Sequence, residues 1–252
     1  MMKRLYFLLF LIFLSTFQVT AQRLGLRKNS WRIGVMGSLD YSYRFIGYKS
    51  GEHTARLLID QRKSETGLMG YSFGVNVSKS FIDDLLRVNI GATYATRSFE
   101  NTSNLTSIQL DSTILQARVH CLFNYQFIQV PIRLDFYVLN KTRWGLYIPI
   151  GISPAIMIGT KVIEASNFSD GTSTNLNKGD EAYDYNHINL SANIGLGFDF
   201  HLSKSLVVWA QPQFEYYVIN LTRNDFYREK LYAISLNAGI SIKLNDKGLY
   251  RK

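Results

Sequence analysis

The chain has 252 residues, a formal net charge of +9, 19% charged and 14% aromatic residues, and a single cysteine, Cys121. One cysteine excludes an intrachain disulfide framework and reads as a small wall residue rather than a catalytic thiol. The Lys and Arg residues are scattered, with no cluster denser than RLGLRK at 23–28 and no recognition motif, so no nucleic-acid partner is expected despite the basic balance.

The amino terminus, MMKRLYFLLFLIFLSTFQVTAQ, reads as an export signal. Lys3 and Arg4 precede an apolar core from Leu5 to Leu14, and Val19-Thr20-Ala21 supplies the small-x-small pattern of a cleavage site. The expectation is a signal peptide over 1–21 and a mature domain over 22–252, with no cysteine at the site to carry a lipid anchor. No later run reaches the ~18 apolar residues of a membrane helix.

After the signal the chain alternates between apolar and polar residues in eight stretches, the period of a β-strand with two different faces. The first, about 31–45, sets Trp31, Ile33, Val35, Leu39, Tyr41 and Tyr43 against Arg32, Gly34, Ser38, Asp40 and Arg44. The second, about 68–79, opposes Met69, Tyr71, Phe73, Val75 and Val77 to Gly70, Ser72, Gly74, Asn76 and Ser78. In the third, about 85–99, Leu86, Val88, Ile90 and Tyr94 face away from Arg87, Asn89, Thr93 and Arg97. The fourth, FIQVPIRLDFYVLN at 127–140, alternates most strictly, with Arg133 and Asp135 between Ile132, Leu134 and Phe136. Pro131 lacks an amide donor, and a bulge is the expectation there.

The fifth stretch, about 144–162, places Ile148, Ile150, Ile152, Ile156 and Ile158 opposite Gly151, Ser153, Gly159 and Lys161. The sixth, about 186–201, opposes Ile188, Leu190, Ile194, Phe198 and Phe200 to Asn189, Ser191, Asn193 and Asp199. The seventh, about 205–220, has Val208, Phe214 and Tyr216 against Gln211, Gln213 and Glu215. The eighth, about 231–244, has Ile234, Leu236, Ile240 and Ile242 against Ser235, Asn237, Ser241 and Lys243.

The polar faces are built from Gly, Ser and Asn with single charges of both signs. Solvated strand faces favour longer polar residues, and glycine weakens a strand, so this mixture suits a crowded interior instead. Charged residues meeting there would form a lumen network of Arg32, Asp40, Arg44, Arg87, Arg97, Arg133, Asp135, Asp199, Glu215 and Lys243. The interior of eight strands is just wide enough for such side chains to fill. Connection lengths agree: short links follow strands two, four and six, and longer ones cover about 46–67, 100–122, 163–185 and 221–230. Long loops at one end and short turns at the other are the habit of outer-membrane barrels. The fold expected is all-β, an eight-stranded antiparallel up-and-down transmembrane β-barrel with its apolar faces in lipid and four extracellular loops. SIQLDSTILQARVHCLF, at 107–123, also has strand character and would extend a hairpin above the membrane.

The TAQ cleavage region, YQFIQVPIRLDFYV and WGLYIPIGISPAIMIG together resemble the PorT-like outer-membrane β-barrel proteins of Bacteroidota. The aromatic-x-x-(I/L)-x-(V/I)-P-(I/L) pattern falls on Tyr125–Ile132, and the Gly-x-x-Pro element on Gly151–Pro154. The resemblance implies a barrel in the cell outer membrane. Some relatives are associated with secretion or gliding machinery, and that role is not carried over.

Functional candidates are sparse. His187, Ser191 and Asp184 share a region and would suit a small lipid-modifying enzyme at the extracellular rim. Asp170, Asp180, Glu181 and Asp184 lack the spacing of a calcium loop, and His201 falls at a periplasmic turn. The expected reading is therefore a structural or interaction protein with no enzymatic activity, cofactor or metal. Its partners would be outer-membrane lipid and a protein of the cell envelope. The alternatives are the lipid-modifying enzyme and a secreted lipocalin-like barrel with its apolar faces inward.

Overall fold

The computed structural model describes residues 30–48, 64–81, 85–102, 106–110, 113–168, 172–178, 185–223 and 227–244. The signal-peptide segment, Asp184 and most of the first long loop lie outside them. All the regular structure described is β: β1 (Trp31–Tyr48), β2 (Glu65–Phe81), β3 (Leu86–Thr102), β4 (Thr106–Leu110), β5 (Thr113–Gln129), β6 (Ile132–Asn140), β7 (Trp144–Phe168), β8 (Ser173–Lys178), β9 (Ile188–Gly195), β10 (Gly197–His201), β11 (Leu206–Tyr217) and β12 (Tyr227–Leu244).

These segments close into a ring of eight antiparallel staves. β1 pairs β2 and β12, β3 pairs β2, and β11 pairs β12. One stave is β5 continued by β6, both lying between β3 and β7. Another is β9 continued by β10, both lying between β7 and β11. Among the described residues closure leaves no lipid-facing strand edge, which the absence of water in hydrocarbon requires.

Proline explains both breaks. Pro131 has no N–H to give, yet Val130 donates to Pro154 O (2.9 Å) and Pro131 O accepts from Gly91 (3.0 Å). Gln129 faces Thr93 and Ile132 faces Ile90, so the register runs through Pro131 without an inserted residue. The bulge expected there is absent. The second break is opposite Pro212, whose carbonyl accepts from Leu196 (3.0 Å) but which has no amide to return. The true insertion nearby is on β7, where Gln126 pairs Gly159 and Phe127 pairs Met157, leaving Ile158 extra. That residue reverses the phase above it, and Lys161 is exposed rather than lumenal.

Burial is inverted relative to a water-soluble sheet. Val35, Leu39, Met69, Ile188, Ile234 and Ile242 are each more than half exposed, while Asp135, Asp199 and Gln211 are 0% exposed. An apolar belt of this extent far exceeds the few hundred Å² that soluble monomers tolerate. The greasy face is the outside.

Three of the short-turn links join β2 to β3, β6 to β7 and β10 to β11 at one end. At the other end the wall is uneven. The segments 113–122 and 163–168, expected as loops, continue β5 and β7 as paired strands, with β4 on β5 and β8 on β7. The stretch 107–123 is thus a hairpin extension of the fourth stave and not a further crossing.

Candidate functional site: the barrel lumen

Because side chains alternate, one parity of each stave points inward, and the lumen fills in tiers. At the short-turn end Asp199 is the hub. It accepts from Arg32 Nη1 (2.7 Å), Arg87 Nη1 (2.8 Å) and the Tyr137 hydroxyl (2.5 Å). Arg87 also donates from Nε to Asp135 (2.8 Å), and its guanidinium lies over the rings of Tyr147 (4.6 Å) and Tyr137 (5.2 Å). The hydrogen bonds of that one tier stitch four staves together, and Tyr147 brings in a fifth.

The middle tier centres on Arg97, which is 2% exposed. Its Nη1 donates to Asp40 (2.7 Å) and its Nη2 to Glu215 (2.6 Å), spanning the lumen from β3 to β1 and β11. Asp40 also accepts from Ser38 (2.5 Å) and from Ser72. Glu215 accepts from Ser191 (2.6 Å) and Gln129 (3.0 Å). Charge pairs taken out of water hold only when their remaining hydrogen-bonding capacity is filled, and these carboxylates are well supplied.

Above it Arg44 bridges Glu229 (2.6 Å) and Glu65, to which its Nε donates at 3.1 Å, and stacks on Phe99 at 4.4 Å. An apolar cluster of Phe99, Tyr125, Phe127, Met157, Tyr185 and Leu221 then fills the long-loop end. Leu221 donates its amide to Glu229 O (2.7 Å), and Tyr185 bridges to Thr222, so backbone from two connections folds over this mouth. Between the tiers a cavity of about 20 Å³, lined by Asp40, Arg97, Gln129, Arg133, Asn193 and Glu215, has room for a water molecule.

Of the ten residues read as a lumen network, nine are buried: Arg32, Asp40, Arg44, Arg87, Arg97, Arg133, Asp135, Asp199 and Glu215. Arg133 lies over the Trp209 ring (6.0 Å) rather than against a carboxylate. Lys243 is half-buried at the short-turn rim, its amide bonded to Ser205 O (2.7 Å). Glu65 and Glu229 were missed. Glu229 is in phase with Ser235 and Asn237, so extending the eighth strand by two residues would have found it. His187 is exposed and Ser191 is buried against Glu215, so the structure does not bring the pair together. The His201 Nδ1 lies 3.1 Å from Thr142 O at a short turn.

The model of the outer membrane protein beta-barrel domain matches residues 18–225. The chain belongs to that family. This barrel therefore resides in the outer membrane, with its apolar belt in lipid. No curated protein matches the chain. Among solved structures it is similar to Neisserial surface protein A, at 8% identity and a TM-score of 0.41 over 86% of this chain and 100% of that one. It is also similar to Ail, the attachment invasion locus protein of Yersinia pestis, solved with the heparin analogue sucrose octasulfate: 13% identity, TM-score 0.38, 86% of this chain and 100% of that one. The outer membrane protease OmpT of Escherichia coli matches at 6% identity and a TM-score of 0.38, over 86% of this chain and 96% of that one.

Proposed function

We propose that this outer-membrane barrel is a non-enzymatic anchor of the PorT-like type found in Bacteroidota, exported by a cleaved signal over 1–21, that presents its long-loop end to a protein of the cell envelope. The observation that carries the reading is the filled lumen: among the described residues, three tiers of charge pairs and an apolar, aromatic-rich cluster pack the barrel axis. A barrel that is solid along its axis acts through its surface. Among the described residues, the wall of β3, β5, β7 and β8 extends beyond the apolar belt and carries the exposed Leu176.

The test is site-specific photocrosslinking in cells, with the probe placed at Leu176, at lipid-facing Ile240, or at buried Gln211. A discrete protein adduct from position 176 alone supports the anchor reading. Adducts equally abundant from position 240, or none from 176, reject it. Envelope lipid profiles that change in a His187→Ala strain would favour the lipid-modifying enzyme instead.

A further inference from the structure

The outward face of β12 changes character in one step. From Leu244 up to Tyr232 every outward residue is apolar or aromatic; the next two are Lys230 and Arg228. At about 3.3 Å per residue and a tilt of about 45°, the stretch from Tyr232 to Leu244 spans about 28 Å, the height of the apolar band. Lys230 and Arg228 therefore stand at the headgroup level of the outer leaflet.

An aromatic shelf lies beneath them. Tyr232 packs between Tyr43 (5.8 Å) and Phe214 (6.1 Å), Lys230 faces Phe45 across the ladder, and its ammonium lies 5.6 Å from the centre of the Tyr216 ring. On β12 charge is sorted by face. The carboxylates Glu65 and Glu229 turn inward onto Arg44, while Arg228 is exposed outward and Lys161, the first charged outward residue of β7 above the bulge, is exposed on another wall. Among the described residues no carboxylate pairs with Lys230 or Arg228.

We infer that this collar on β12 binds the phosphate groups of a phosphorylated glycolipid in the outer leaflet. Lys230 supplies a compact charge for one phosphate, and Arg228 a planar fork that engages phosphate oxygens in pairs. The shelf of Phe45, Tyr216 and Tyr232 gives the sugar faces and the first acyl carbons an apolar floor. Among the described residues of β12, inward burial of Glu229 removes the carboxylate that would repel the ligand.

The experiment is native mass spectrometry of the mature barrel released from phosphatidylcholine nanodiscs. The discs are supplemented in separate arms with diphosphoryl lipid A, its dephosphorylated form, or phosphatidylglycerol. Wild type is expected to retain diphosphoryl lipid A preferentially. The Arg228→Gln/Lys230→Gln variant should bind it about 30-fold more weakly, given the usual contribution of a basic residue at a lipid surface. Lys79→Gln, at the opposite rim beside Trp31 and Phe81, should leave it unchanged. Both variants alter only surface side chains, and retention of the folded gel mobility verifies the barrel. Wild-type affinity in the double variant, or phosphatidylglycerol held as tightly as diphosphoryl lipid A, overturns the assignment.

Discussion

Replacing Arg97 with methionine keeps most of the side-chain volume and removes the cation that joins Asp40 to Glu215. Both carboxylates are at most 2% exposed and so cannot turn to bulk water. Asp40 keeps its bonds from Ser38 and Ser72, and Glu215 keeps those from Ser191 and Gln129. What is lost is the countercharge, with two carboxylates left facing each other across the cavity. Breaking a buried pair in this way costs about 3–5 kcal/mol, and the surviving hydrogen bonds place Arg97→Met near the lower end. The triple variant Asp40→Asn/Arg97→Met/Glu215→Gln removes all three charges while keeping shape and donors. It is expected to recover at least half of the loss, because a buried charge triad is worth little net once its desolvation is counted. The assay is equilibrium urea unfolding in phosphatidylcholine vesicles, followed by tryptophan fluorescence; Trp209 sits inside the barrel and reports directly. A loss below about 1 kcal/mol for Arg97→Met, the range of solvent-exposed pairs, would refute the reasoning. It would mean that water reaches the middle tier and that the lumen is not sealed.

Three further outcomes follow from the same geometry. A Cβ at Gly197 would lie 2.1 Å from the Tyr147 ring, itself held under Arg87, so Gly197→Ala should cost about 1–3 kcal/mol; Gly37→Ala, whose nearest neighbour would be 4.0 Å away, should be close to neutral in the same unfolding assay. Ile240→Arg at mid-belt should destabilise the vesicle-inserted barrel by about 2–4 kcal/mol and Leu244→Arg at the rim by no more than about 1; equal costs would contradict the placement of the membrane. In planar bilayers the wild-type barrel should show no stable unitary conductance steps, and well-resolved steps would contradict the plug formed by Phe99, Tyr125 and Phe127.

How far this architecture was legible follows from what alternation reports. A period of two records a difference between the environments on either side of a strand, and it is strongest where one side is hydrocarbon and the other a packed polar lumen. Within the belt, parity therefore placed Arg87, Arg97, Asp135 and Asp199 inward, and it survived Pro131 because a missing amide removes a bond without inserting a residue. The Ile158 insertion left no such mark. Ile158, Gly159 and Thr160 satisfy either phase by size and polarity, so Lys161 carried the old parity in the sequence and the new one in the structure. Above the belt the contrast itself disappears. The upper end of β7, 163–168, is a paired strand that reads as the start of a polar loop, whereas 107–123 keeps enough alternation to show strand character. Glu229 falls at that same boundary, one residue from Lys230, and parity continued down from Ser235 and Asn237 turns it into the lumen onto Arg44 while Lys230 faces out.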